Sequence, residues 1–142
     1  MTAAAKIDTG LTKTERKDVT EALTRVLSDS FAVYLKTHGY HWNVRGPQFY
    51  GLHNLLEQQY RDIWAALDEI AERIRSLGEL APQGYAAFGN LTGIKDGDPS
   101  KDANEMLSEL MRDHETLIAT CRAGVEASEE AGDAATADLL TQ

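Results

Sequence analysis

Four side chains able to ligate a metal, His53, Glu57, Asp68 and Glu72, fall in one segment of helical period between Pro47 and Gly78. At about 100° per residue of helix, with His53 at the origin, Glu57 lies near about 40°, Asp68 near about 60° and Glu72 near about 100°. All four share one narrow face beside the apolar stripe of that helix, where groups are partly buried. His41, at the end of the preceding helical stretch, offers a second imidazole. Carboxylates with one or two imidazoles suit Fe(II) or Mn(II) and leave positions open for an oxidant, whereas structural zinc more often uses Cys.

One helix cannot close this site alone, because its rise separates the pair His53 and Glu57 from the pair Asp68 and Glu72 by about 22 Å. Metal–ligand bonds reach only about 2 to 2.6 Å. The two pairs are, however, mirror-spaced about a common midpoint. An antiparallel two-fold pairing of the helix with its copy sets His53 opposite Glu72, Glu57 opposite Asp68 and Arg61 opposite Trp64. Isologous contacts of that kind produce two identical composite sites. Asp68 and Glu72 are also like charges at i, i+4, a repulsion that a cation between them would relieve. The plainer alternative is a solvated face in which Glu57 pairs with Arg61 and Glu72 with Arg75. No Glu stands three residues before any His, so the Glu-x-x-His motif of di-iron bundles is absent.

The elements that must carry these groups are helical. Thr12 and Glu15 form a capping box, and apolar residues from Val19 to Leu35 recur every three or four positions, so the first helix runs to about His38 with Gly39 as its turn. Gly46-Pro47 reads as the cap and first residue of a second helix of about thirty residues ending at Gly78. Residues 79–98 carry Pro82 and several glycines and read as a long connection with one helical turn near Tyr85 to Phe88. Asp98-Pro99 is expected to cap a third long helix, whose stripe contains Met106, Leu110, Met111, His114, Leu117, Ile118, Cys121 and Val125. Asp133 then caps a fourth that has barely begun at Gln142. The reading is an all-α, ferritin-like four-helix bundle with a long crossover between its second and third long helices and a short fourth helix. Residues 1–11 form a tail and 12–142 the bundle domain.

Composition narrows the function classes. Lys and Arg total 14 against 23 Asp plus Glu, a net charge of -9 that disfavours a basic nucleic-acid-binding module. A hydrophobic fraction of 42% excludes a disordered acidic chain. The lone Cys121 reads as a small core residue compatible with a reducing compartment, and the first residues contain no apolar signal stretch. A soluble cytoplasmic protein is expected, without a membrane partner.

Lys36-Thr37-His38-Gly39-Tyr40-His41-Trp42-Asn43-Val44-Arg45-Gly46-Pro47-Gln48-Phe49, then Leu52-His53, then Leu67-Asp68-Glu69-Ile70-Ala71-Glu72-Arg73-Ile74 resemble the signature of the Dps mini-ferritins. The resemblance covers nearly the whole chain, which is short at its C-terminus for that family. It implies a homo-oligomer, two-fold dimers assembling to a dodecamer, that oxidises Fe(II), preferentially with hydrogen peroxide. The family stores the Fe(III) product inside and so protects against oxidative stress. It further implies a ferroxidase centre between two subunits, with His41, His53 and Glu57 from one and Asp68 and Glu72 from the other. Glu57 stands where many relatives carry Asp. Trp42 adjoins the centre as an interceptor of oxidising equivalents. Glu129, Asp133 and Asp138, with Glu126 and Glu130, fall where the family places an acidic pore for iron. His38 reads as packing or hydrogen-bonding at its helix end. Some members coat DNA through Lys-rich tails and associate with the nucleoid. Here Lys6, Lys13, Arg16 and Lys17 face Asp8, Glu15 and Asp18, leaving one net positive charge for that alternative.

Overall fold

The computed structural model describes residues 8–142, which form five helices and, among these residues, no strand. The expected tail thus lies mostly outside the described residues. α1 spans Lys13–Asn43, α2 Phe49–Ser76, α3 Tyr85–Leu91, α4 Ala103–Glu130 and α5 Ala134–Thr141. α1 is the hub: α2 and α4 pack along it, α3 lies over it, and α5 folds back on α4.

α1 starts where the capping box requires, with the Thr12 hydroxyl accepting from the Glu15 N–H and the Glu15 carboxylate accepting from the Thr12 N–H. It does not stop at Gly39. A glycine inside a helix costs only about 1 kcal/mol relative to alanine, and burial of Thr37, Tyr40 and His41 on either side offsets that. The helix therefore ends at Asn43, capped by Val44. The chain then turns at Gly46, whose φ of 115° favours glycine, and α2 begins two residues after Pro47 rather than at it.

α4 likewise starts later than expected. Asp98 accepts from the N–H and hydroxyl of Ser100 in a tight turn, while Asp102 and Glu105 form the capping box that opens the helix. Met111 and Ile118, expected in its apolar stripe, are exposed at 59% and 54%, because they lie on the face of α4 turned away from α1. Cys121 is half-buried against the core, and burial, with the Asp29 charge second, pushes its thiol up from its ordinary value.

Two apolar clusters support the two ends of α2. Leu56 packs with Tyr40, Val44, Met106 and Leu110, whereas Ile70 and Ile74 pack with Val19, Leu23, Val26, Leu27 and Leu77. Polar side chains fasten the crossover between α3 and α4. The buried Asp29 carboxylate accepts from the Thr92 hydroxyl at 2.7 Å and the Gly93 N–H at 3.0 Å, and from the Thr120 hydroxyl of α4 at 2.7 Å. Lys36 donates to the Lys95 carbonyl and pairs with Asp113 at 2.8 Å. Tyr40 accepts from the Asp98 N–H and donates to Glu109, which also pairs with Lys101. Gly97 passes so close to the Tyr40 ring that a Cβ there would sit 2.8 Å from it. Arg45 donates to the carbonyls of Ser100 and Lys101.

Candidate metal centre

Continuation of α1 past Gly39 brings His41 beside His53 of α2. The buried His41 directs its Nδ1 to the His53 carbonyl at 2.7 Å, and His53 directs its Nδ1 to the His41 carbonyl at 2.8 Å. A carbonyl oxygen only accepts, so each Nδ1 carries a proton, and in the neutral ring each Nε2 keeps its lone pair. The rings stack with centroids 3.8 Å apart and planes 17° apart. Both imidazoles are thus fixed in the tautomer that ligates a metal through Nε2, oriented by an outer hydrogen bond as metal-binding histidines usually are.

Glu57 stands one helical turn beyond His53 and is half-buried. It accepts a hydrogen bond from Arg61 at 3.0 Å, which holds its carboxyl below the usual glutamate value; burial acts the other way, while the positive charge of Arg61 adds to the lowering, as do His41 and His53 when protonated. Glu57 is therefore ionised and carries the negative charge that a cation would meet.

Asp68 and Glu72 lie exposed at the other end of α2, with no hydrogen bond or ion pair among the described residues. Of the two salt bridges in the plainer reading of this face, Glu57–Arg61 forms, whereas Arg75 instead donates to the Glu79 carbonyl at 2.8 Å. Arg61 lies 5.8 Å from the Tyr60 ring of its own chain. Among the described residues no three His, Cys, Asp or Glu side chains converge on one ion within a single chain. The two groups of candidate ligands stay apart within one chain.

The three acids assigned to a pore are placed unequally. Glu129 and Asp138 are exposed. Asp133 is 5% exposed: its carboxylate pairs with Arg73 at 2.8 Å and accepts from both the N–H and the hydroxyl of Thr136, so it is engaged within the chain. Trp42 is 64% exposed and its ring centroid lies 4.5 Å from that of His38. His38 accepts from or donates to the Tyr34 hydroxyl at 3.1 Å, and burial, followed by His41 when protonated and by the Arg61 charge, lowers its pKa.

Sequence reasoning passed over Tyr60 and Phe49, whose rings flank the two imidazoles, and Arg73, which ties α2 to the start of α5. The aromatic spacing was available as a signal, since residues 49, 53 and 60 return to one face of α2. The partners of Arg73 are remote in sequence.

The ferritin-like domain matches residues 20–142. A crystal structure of a Dps protein from Vibrio cholerae O1, a member of a broad superfamily of ferritin-like diiron-carboxylate proteins, superposes with TM-score 0.91 at 30% identity, covering 99% of this chain and 89% of that one. This chain belongs to the Dps family. Its Dps relatives include DNA protection during starvation protein 2 of Bacillus anthracis, 32% identical over 87% of this chain and 85% of its own length. An uncharacterised low temperature-induced protein of Nostoc sp. is 41% identical over 96% of this chain and 77% of its own length. The all-α, ferritin-like bundle expected for a Dps chain is the fold observed. No described helix of this Dps chain is long and apolar enough to cross a membrane.

Proposed function

We propose that this Dps chain is a ferroxidase and iron store that oxidises its substrate Fe(II), preferentially with hydrogen peroxide, and keeps the Fe(III) product inside a dodecameric shell, protecting a reducing cytoplasm from oxidative stress. The observation that carries the reading is the reciprocal pair of Nδ1–H bonds, which leaves two Nε2 lone pairs one turn from the Glu57 carboxylate. His41, His53 and Glu57 form one half of the centre, and Asp68 and Glu72 of a two-fold-related copy complete it. Carboxylate ligands lower the net positive charge at iron and favour the ferric state, and two ferrous ions held together let peroxide accept two electrons without releasing hydroxyl radical. The bundle occupies residues 12–142 behind a tail of residues 1–11, and Glu129 and Asp138 supply negative potential at the iron pore. Association with DNA or the nucleoid is the lesser reading, since Lys17 faces Glu21 at 3.9 Å and Lys6 lies outside the described residues.

Stopped-flow oxidation of Fe(II) with peroxide and with oxygen tests the proposal. Changing Glu57→Gln and Asp68→Asn together is expected to abolish peroxide-dependent oxidation while native mass spectrometry shows the same oligomer. Unchanged kinetics in that variant would sink it.

A further inference from the structure

The imidazole pair is part of a longer run of rings. Phe49 stacks on the outer side of His53, with centroids 4.9 Å apart. On the other side Tyr60 meets His41 edge-on, at 5.2 Å and 71°. The face of Tyr60 is covered in turn by His38, stacked at 3.8 Å and 14°, and the Tyr34 hydroxyl holds the His38 Nδ1 at 3.1 Å. Tyr34 also sets its ring edge-on to Tyr60 at 6.2 Å and 71°.

An imidazole tethered by one Nδ1–H bond still pivots about that bond, and the pivot swings Nε2 away from a metal. Stacking on His53 blocks tilting on one side only. Tyr60 closes the other side, and Tyr60 itself has no freedom to yield because His38 and Tyr34 back it. We propose that Tyr60 is a positioning residue that fixes the plane of His41, and hence the direction of its Nε2, with His38 and Tyr34 as its support. Productive ligand geometry has to be held within about 0.5 Å and 10–20°, and a ring wall achieves this without offering a competing donor atom. The inference rests on the metal-centre reading of His41.

The test is Co(II) titration of the assembled protein, read by the visible d–d absorption of the bound ion, in wild type, His41→Ala, Tyr60→Leu and Tyr60→Phe. Tyr60→Leu is expected to weaken binding about 10-fold, in the range typical of outer-shell substitutions, and to alter the d–d bands. Tyr60→Phe, which keeps the ring, should restore both, with the native mass unchanged. If His41→Ala binds Co(II) like wild type, the metal-centre reading falls and this inference with it. If His41→Ala loses binding but Tyr60→Leu matches wild type in affinity and spectrum, the positioning role alone is overturned. It is also overturned if Tyr60→Phe is as impaired as Tyr60→Leu, because the hydroxyl would then be the active part. Should Tyr60→Leu fail to assemble, His38→Leu is read in the same way, with a loss of about 3-fold expected, below the outer-shell range because one more ring intervenes; a wild-type spectrum there overturns the proposal.

Discussion

At the N-terminal end of α2, His53 is locked to His41 by two hydrogen bonds and a ring stack, while further along the same helix Asp68 and Glu72 stand exposed and unpaired among the described residues. The difference follows from the chemistry of the two ligand types. An imidazole binds metal through one nitrogen only, so its tautomer and ring plane have to be set in advance, and backbone carbonyls of the same chain do that. A carboxylate presents acceptor lone pairs on both oxygens and needs only proximity. On the proposed reading, leaving Asp68 and Glu72 free keeps their repulsion small in water until a cation and a second subunit arrive. On that reading, fold stability and metal binding are joined at one end of α2 and separate at the other.

The largest effects should come from the two core clusters beneath these ends. Leu56→Ala and Ile74→Ala remove side chains with 1% and 0% exposure, and each should cost about 2–5 kcal/mol in chemical denaturation. Only Leu56→Ala should move the side-chain ¹⁵N resonances of His41 and His53; movement in both variants would break the comparison. Next, Asp68→Asn with Glu72→Gln is expected to weaken Co(II) binding about 100-fold, equal to about 2.7 kcal/mol. The unfolding free energy of the metal-free protein should change by less than about 0.5 kcal/mol, as for exposed sites generally. A larger stability loss would mean that the carboxylates are already held. Asp133→Asn should cost about 1–2 kcal/mol, since it weakens both the Arg73 pair and the α5 cap; thermal unfolding at fixed oligomeric state measures it.

The smallest effect concerns Glu57. Its carboxyl is held below the ordinary value of 4.5 chiefly by the Arg61 hydrogen bond. A lowered folded-state pKa contributes stability that is present above 4.5 and lost as pH falls through the lower folded value. Arg61→Gln should return the ¹³C-detected titration of the Glu57 side chain toward 4.5 and flatten the acid limb of the stability curve. An unmoved titration would show that Arg61 does not set it.

Local chemistry made much of this legible in the sequence. The Thr12–Glu15 capping box and the Asp133 cap act within four residues, and the long period of α2 has no competitor. His53 and the carboxylates of the candidate centre were legible because they share one face of α2, whereas His41 comes from the end of α1. What escaped depended on tertiary contacts. Gly39 stays helical because its neighbours are buried, which no local preference encodes. The start of α4 was misplaced although Asp102 and Glu105 carry the same box as Thr12 and Glu15, because Asp98-Pro99 offered a competing signal. The tautomers of His41 and His53 depend on carbonyls twelve residues away, and the engagement of Asp133 depends on an arginine sixty residues earlier.

The fastening of the crossover divides the chain in a way its helix order does not suggest. Asp29, Lys36, Tyr40 and Arg45 each bond to a residue within 92–101, whereas Gln83 to Ala86 form an exposed run that none of these bonds touches. A break or an inserted segment is best tolerated at such an exposed site with few contacts. Cut there, the molecule would fall into an α1–α2 hairpin and an α3–α4–α5 piece that still share every clamp around Asp29 and Tyr40. The seam along which this bundle could be split and reassembled therefore lies just before α3.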